Sequence, residues 1–234
     1  FAVLLHQQPS DKNPKYNRLM NIYLCHPSRG RPDMAADCIK DWKSKAQAPD
    51  KIRHFLSLDA DDPTRSLYPE ADKTLINENA GMVQAINRLL PLCEDESGLL
   101  VTLYDDFSPP ERWDRWLAGL IKAKGAGVVF VDCCNHQLQT IQIGSVSVFK
   151  RWGYVLHPEY KSMFSDNDFT EHATTDESTT VIDARFALLF EHSHPVITGR
   201  DEDMDETYRR TNAQDRYDQG AAILEKRRAN NFAA

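Results

Sequence analysis

An apolar run that ends in two adjacent carboxylates dominates this sequence. The run is LLVTL at 99–103; Asp105 and Asp106 follow it, and a Pro-Pro turn comes next. Such a run is typical of a strand buried on both faces of an α/β sheet, and ligands bind at the edge where such strands end. Because adjacent carboxylates repel each other, we interpret the pair as the site of a cation that binds phosphate. The alternative is a simple turn, in which aspartates are common.

Strand and helix patterns alternate along the rest of the chain. We predict apolar strands at 22–25, 52–58, 99–103 and 127–131. Helices are predicted from Pro32, over 78–90 and over 111–124. Their apolar faces carry Met34, Ala35, Cys38, Ile39 and Trp42 in the first, and Trp113, Trp116, Leu117, Leu120 and Ile121 in the third. This alternation predicts a single α/β domain with a mostly parallel central sheet.

The two ends of the chain differ from this central part. Residues 1–20 have no helical or strand period and are predicted to form an N-terminal arm. The domain is predicted to span 21–199, with strand-like segments at 140–149 and 180–190 as a small antiparallel extension and a helix from Asp166 or Asn167. The highly charged residues 200–234 are predicted to form a C-terminal helix that lies across the domain.

Composition excludes several classes of function. The 234 residues carry a net charge of −7 and no long basic run, so double-stranded nucleic acid is not an expected partner. The five cysteines form no CxxC pair, which indicates buried free thiols rather than a zinc cluster. The opening FAVLL is too short for a signal sequence, and no segment is apolar over a membrane-spanning length. We expect a cytoplasmic protein.

Acidic residues follow several of the predicted strands, and histidines follow a late one. The acidic groups are Asp59 with Asp61, Asp105 with Asp106, and Asp166 with Asp168; the histidines are His192 and His194. Carboxylates with an imidazole suit Mn²⁺ or Mg²⁺ better than zinc. Arg29 and Arg31, in the loop after the first strand, are placed to meet a phosphate or a base edge. Each of these histidines and arginines has an ordinary alternative, as a packed or solvated side chain.

Five motifs together carry a family resemblance. They are CHPSRGRP, LSLDADDP, LYDDFSPP, WGYVLHPEYKSMFSDNDF and FEHSHP, in that order between residues 21 and 195. The sequence resembles glycosyltransferases of the GT-A fold, especially the inverting family-2 type and short bacterial and phage enzymes. The resemblance implies a metal-dependent transfer of a sugar from a nucleoside-diphosphate donor, with UDP-sugar as the first choice, to a hydroxyl of a glycan or another acceptor.

The resemblance also implies a nucleotide subsite. Pro27, Ser28 and Arg29 would line the nucleotide pocket, and Asp59 would accept a hydrogen bond from the nucleobase, which in this family is most often uracil. The neighbouring Asp61 is assigned to the same subsite, together with Arg31 and Asp105.

The same resemblance implies a metal subsite. Asp105 and Asp106 stand where the family has its Asp-x-Asp signature, which holds the ribose and the metal on the diphosphate. Tyr104 stands two positions before Asp106 in place of an acid, so Asp106 is the stronger metal ligand. His192 or His194 would complete the metal shell.

The acceptor side is implied by SDNDF, which resembles the family motif Glu-Asp-x-Asp-Leu. Asp166 stands at the position of the catalytic base. Ser165 replaces the preceding acid, and Asp168 therefore remains an alternative base. Gly153 and Tyr154 would shape the acceptor pocket.

Other functions remain open from the sequence. A sugar-phosphate nucleotidyltransferase shares the general architecture, and SRGRP is a weak version of its Gly-rich loop. A metal hydrolase could be built on His192 and His194. A nucleotide-sugar or glycan-binding module without catalysis is compatible with the acids missing at Tyr104 and Ser165.

Overall fold

The computed structural model of the chain describes residues 20–199 and 204–232. The strands are β1 (Ile22–Ser28), β2 (Ile52–Asp59), β3 (Lys73–Asn77), β4 (Leu99–Thr102), β5 (Phe107–Ser108), β6 (Gly127–Phe130), β7 (Ile143–Ser145), β8 (Thr180–Asp183) and β9 (Glu191–His192). The helices are α1 (Pro32–Ser44), α2 (Met82–Asn87), α3 (Trp113–Lys124), α4 (Val146–Trp152), α5 (Ser165–Thr175), α6 (Pro195–Thr198), α7 (Glu206–Thr211) and α8 (Gln214–Ala229).

Seven strands form the central sheet in the order β3-β2-β1-β4-β7-β6-β8. All neighbours are parallel except β7, which runs antiparallel between β4 and β6. The strands β5 and β9 form a separate antiparallel pair. The predicted α/β class, with a mostly parallel sheet and a small antiparallel part, is confirmed.

Two apolar cores cover the two faces of the sheet, because side chains alternate along each strand. In β1, Ile22 and Leu24 join the core beneath α1 and α3, whereas Tyr23 and Cys25 join the core beneath α2, α4 and α5. Pro32 occupies the first turn of α1, where its missing N–H costs nothing.

Two residues predicted on the apolar faces of α1 and α3 are not buried. Met34 is 39% exposed and Trp116 is 43% exposed, while the other members of each stripe are at least partly buried. A stripe wider than the contact with the sheet leaves its outer members in solvent, and these two lie at that margin.

Several of the predicted strands differ from the strands in the structure. Residues 140–149 were predicted as a strand, but β7 has three residues and α4 begins at Val146, since partial alternation does not separate a short strand from a short helix. The predicted strand at 180–190 ends at Asp183. The strand β3 was missed, because it is a polar edge strand with mostly exposed side chains.

The helix predicted over 78–90 is shorter than its apolar pattern. Gly81 precedes α2 with φ +94°, and a Cβ at this position would lie 2.9 Å from the carbonyl oxygen of Lys161. This close approach requires glycine and delays the start of the helix. After Asn87 the chain passes into a 3-10 turn at Leu90–Leu92. The helix predicted from Asp166 or Asn167 begins one residue earlier, at Ser165.

The C-terminal residues pack on the domain as two helices rather than one. Gly220 of α8 lies so close to the turn that precedes α5 that a Cβ would meet the carbonyl oxygen of Met163 at 2.4 Å. The carboxylate of Asp168 on α5 is paired with Arg227 of α8 at 2.9 Å, and both side chains are buried. The prediction that this segment lies across the domain is therefore confirmed from residue 204 onward.

The other sequence predictions concern the chain ends and the thiols. The predicted arm lies outside the described residues except for Met20, which packs against the core. All five cysteines have free thiols, and four of them are buried as predicted. The prediction of burial is wrong for Cys134, which is exposed because it lies in the loop beyond the buried end of the apolar run. In the described part of the chain, no helix combines the length and the apolar character needed to cross a bilayer.

Candidate active site

A cavity of about 830 Å³ opens at the carboxyl ends of β1, β2 and β4, where parallel α/β sheets bind ligands. Ten of the residues proposed from the sequence line it: Pro27, Ser28, Arg29, Arg31, Asp59, Asp105, Asp106, Asp166, His192 and His194. Four of the six predicted acids, Asp59, Asp105, Asp106 and Asp166, therefore converge at this cavity. Four residues proposed from the sequence are not among the described residues that line the cavity: Asp61, Gly153, Tyr154 and Asp168.

Asp106 and His192 form the centre of the candidate metal subsite. The pairing of β5 with β9 stacks the ring of His192 on that of Phe107, with 4.0 Å between the ring centres. The Nε2 atom of His192 lies 3.4 Å from Asp106 Oδ2. Tyr208 donates a hydrogen bond to the same oxygen at 2.9 Å. Burial acts to raise the pKa of Asp106, but the bonds from His192 and Tyr208 and the charge of His192 outweigh it and hold this pKa below its usual range.

These residues fit a divalent cation that is shared with a diphosphate. His192 Nδ1 is buried and has no hydrogen-bond partner among the described residues, and the centre of the His194 ring lies 5.5 Å from that of the His192 ring in the same cavity. Within residues 20–199 and 204–232, no three His, Cys, Asp or Glu side chains are close enough to hold an ion by themselves. Mg²⁺-type sites commonly use one or two carboxylates and complete the shell with substrate phosphates and water.

Asp105 has a different set of partners. Ser28 Oγ donates to its Oδ2 at 2.8 Å, and His26 Nε2 lies 2.7 Å from its Oδ1. His26 in turn contacts His54 at 3.0 Å. Neither histidine was proposed from the sequence, although His26 stands inside the CHPSRGRP motif.

Arg29 is held between two acids at one end of the cavity. Its guanidinium donates to Asp59 Oδ2 at 3.1 Å and to Asp61 Oδ2 at 3.1 Å. Asp59 is nearly buried, whereas the Asp61 side chain is 60% exposed. Asp61 is therefore a partner of Arg29 at the rim rather than part of the lining.

Arg31 pairs with the C-terminal segment. It makes two hydrogen bonds to Asp205, at 2.6 and 2.7 Å, and its guanidinium lies 3.8 Å from the centre of the Tyr208 ring. Asp205 also caps α7 through the backbone N–H of Tyr208. This segment supplies part of the cavity wall. No sequence pattern indicated this role, apart from the isolated aromatic residue Tyr208.

Asp166 faces the cavity from the first turn of α5. Its Oδ1 accepts the backbone N–H of Asn167 at 3.0 Å. Burial raises the pKa of Asp166 above its ordinary value, and this N–H and the nearby His192 offset only part of the effect. A partly buried carboxyl group at a cavity wall with a raised pKa is suited to accept a proton.

The alternative base lies elsewhere. Asp168 is 1% exposed, accepts hydrogen bonds from Arg227 at 2.9 Å and Tyr160 at 3.2 Å, and holds α5 to α8. Its carboxylate is therefore committed to a buried ion pair outside the cavity lining. Of the two aspartates in SDNDF, the structure places only Asp166 at the cavity.

The two residues proposed for the acceptor pocket also have other surroundings. Gly153 ends α4 in the left-handed region at φ +83°, the usual conformation of glycine at a helix C-terminus. Tyr154 accepts a hydrogen bond from Arg227 at 3.2 Å, and its ring lies near that of His172. On this face the cavity is lined instead by Lys161, Phe164 and Tyr217.

No family model and no curated protein matches the chain, but solved structures do. TarS from S. aureus matches with a TM-score of 0.56 at 14% identity, over 81% of this chain and 41% of TarS. TarS 1–349 in complex with UDP-GlcNAc matches with a TM-score of 0.57 at 11% identity, over 90% of this chain and 73% of that one. The mannosyltransferase PcManGT from Pyrobaculum calidifontis, in complex with GDP-Man and Mn²⁺, matches with a TM-score of 0.59 at 14% identity, over 95% of this chain and 79% of that one.

The chain has a GT-A glycosyltransferase fold. The fold predicted from the five motifs is thereby confirmed. The chain spans about two fifths of the length of TarS.

Proposed function

We propose that this chain is a glycosyltransferase that uses a divalent metal ion and a nucleoside-diphosphate sugar, most simply a UDP-sugar. One observation carries the proposal: Asp105, Asp106 with His192, and Asp166 line a single cavity. Its volume, about 830 Å³, is in the range of small-molecule sites. The complexes of TarS with UDP-GlcNAc and of PcManGT with GDP-Man and Mn²⁺ support this class of donor.

Different residues of the chain would bind different parts of the donor. Ser28, Asp59 and Asp105, at the ends of β1, β2 and β4, would take the nucleoside. Asp106, with His192 or His194, would hold Mn²⁺ or Mg²⁺ on the diphosphate. When bound, the ion supplies positive charge that stabilises the departing diphosphate.

Asp166 would act as the base. The acceptor oxygen forms a bond to the anomeric carbon while the bond from that carbon to the diphosphate oxygen breaks, and the proton of the acceptor hydroxyl passes to the Asp166 carboxylate. Attack in line with the leaving group inverts the anomeric centre. The acceptor, a glycan or another hydroxyl compound, would enter past Lys161, Phe164 and Tyr217.

The test is a panel of UDP- and GDP-sugars incubated with the protein and Mn²⁺, with release of the nucleoside diphosphate as the readout. Even without an acceptor, slow hydrolysis of one donor is expected. Release that disappears with EDTA supports a metal-dependent transferase. Tight binding without any release, with a range of acceptors present, would instead support a binding module.

A further inference from the structure

Two buried histidines connect the interior of the sheet to Asp105. His26 on β1 and His54 on β2 are each 0% exposed, and their ring centres lie 5.3 Å apart. His26 Nδ1 is 3.0 Å from His54 Nε2, and His26 Nε2 is 2.7 Å from Asp105 Oδ1. A polar chain of this kind inside an apolar sheet is costly to bury unless each group is paired.

The hydrogen bonds that join His54, His26 and Asp105 determine which ring nitrogens carry a proton. A carboxylate can only accept, so His26 Nε2 carries a hydrogen. In a neutral His26 ring, Nδ1 is then an acceptor, and His54 must donate from Nε2. This leaves His54 Nδ1 with a lone pair, and that atom is indeed buried with no hydrogen-bond partner in the part of the chain that the structure describes. The reverse assignment would place a charged His26 inside the sheet and leave a buried N–H of His54 unpaired.

Electrostatics agree with this assignment. Burial is the largest of the causes that lower the pKa of His54 to about 3, so its ring is neutral at ordinary pH. A neutral His54 can donate from only one nitrogen, and the geometry selects Nε2.

We propose that His26 and His54 are positioning residues that orient Asp105 toward the nucleoside of the donor. The inference rests on the proposed function. Ser28 Oγ holds the second carboxylate oxygen at 2.8 Å, so Asp105 is fixed from two sides. Its neighbour Asp106 contacts none of these groups and pairs with His192 and Tyr208. The two adjacent acids therefore have separate roles, one for the nucleoside and one for the metal.

This arrangement predicts a particular kinetic effect. Contacts to the nucleoside are the same in the ground state and in the transition state, so weakening them raises KM and the Kd of UDP and leaves kcat nearly unchanged. A loss of folding alone would reduce the fraction of active protein and lower kcat instead.

The test compares His54→Leu, His54→Gln and wild type. The leucine fills the space without a donor, and we expect a roughly fivefold to tenfold rise in the Kd of UDP and in donor KM. The glutamine Nε2 can still donate to His26, so values within about twofold of wild type are expected. His157→Leu is the matched control, because His157 is a buried histidine that contacts Tyr154 and Tyr160 outside the cavity. It should leave the Kd of UDP unchanged.

A second measurement needs no variant. ¹⁵N spectra of the histidines in wild-type protein should show the ring proton of His54 on Nε2; a proton on Nδ1 of His54 would overturn the inference. Equal UDP affinity in wild type and His54→Leu would also overturn it while leaving the proposed function intact. Failure of the wild type to bind any nucleotide would refute the proposed function itself, and this inference with it.

Discussion

Asp105 and Asp106 are adjacent in the chain, yet their carboxylates have different neighbours. Asp105 is held by His26 and Ser28 from the interior of the sheet, whereas Asp106 is reached by His192 and Tyr208 from later segments. The sequence indicated that this pair belongs to the site. It did not separate the two roles, because the partners lie as far as 102 residues away in the chain.

Asp106→Asn tests the metal subsite. The substitution keeps the shape of the side chain and removes its charge, so the affinity for Mn²⁺ should fall and release of the nucleoside diphosphate should slow at least about 100-fold. The measurements are turnover and the rise in Tm that UDP gives with Mn²⁺. Asp183→Asn is the control, because Asp183 pairs with Arg185 at the end of an edge strand. Unchanged turnover in Asp106→Asn would contradict the assignment.

Asp166→Asn tests the base. Without a proton acceptor, turnover should fall by roughly 10²- to 10⁴-fold. Binding of the donor should be retained, because none of the nucleoside or metal contacts is changed. Donor affinity is measured by titration calorimetry and turnover by nucleotide release in the presence of an acceptor. A variant that turns over like wild type would show that another group takes the proton.

The pH profile of kcat gives a second test of Asp166. Only the carboxylate form accepts a proton, and burial raises the pKa of this group. Activity should therefore be lost, as pH falls, at a value above the ordinary aspartate pKa of about 3.9. The profile is measured from about pH 4 to about pH 8 with protein that stays folded over this range. A rate that is constant down to about pH 4 would exclude a base with a raised pKa.

At the level of elements, the C-terminal helices complete the domain. The helix α7 brings Tyr208 to Asp106, and α8 buries Arg227 against Asp168 of α5, the helix that carries Asp166. The sequence predicted a helix at this position but no part in the site, because the charged composition and sparse apolar residues of the segment indicate only a surface helix. Tertiary ion pairs of this kind leave no periodic pattern.

Arg227→Met should destabilise the protein strongly. Removal of the guanidinium leaves Asp168 as an unpaired buried charge, which costs about 3–5 kcal/mol in the free energy of unfolding. Arg228→Met is a matched control on the same helix, since Arg228 pairs with Glu171 of α5 but is about half exposed. Its cost should be at most about 1 kcal/mol.

The free energy of unfolding of both variants is measured by denaturant titration. In the double variant Arg227→Met, Asp168→Leu the loss should be smaller than the sum of the two single losses, because neither charge is then left alone. Equal losses in Arg227→Met and Arg228→Met would contradict a buried pair.

For the whole molecule, apolar runs and strand-end acids were enough to predict the α/β class and the edge of the sheet at which the site forms. β1, β2, β4 and β6 were found because each is buried on both faces. The strand β3 and the boundary between β7 and α4 were not found, because an exposed edge strand and a short apolar segment have no distinctive period. The separation of Asp166 from Asp168 depends on the contact with α8 and required the structure.

The most direct test is a calorimetric titration of the intact protein with UDP, with Mn²⁺ and with EDTA. If the cavity binds a nucleoside diphosphate together with a cation, UDP will bind at one site per chain and its affinity will fall at least about tenfold when the metal is removed. A parallel titration with GDP shows which nucleobase the site prefers. If neither nucleotide binds, with or without metal, the cavity is not a nucleoside-diphosphate site and the proposed function is contradicted.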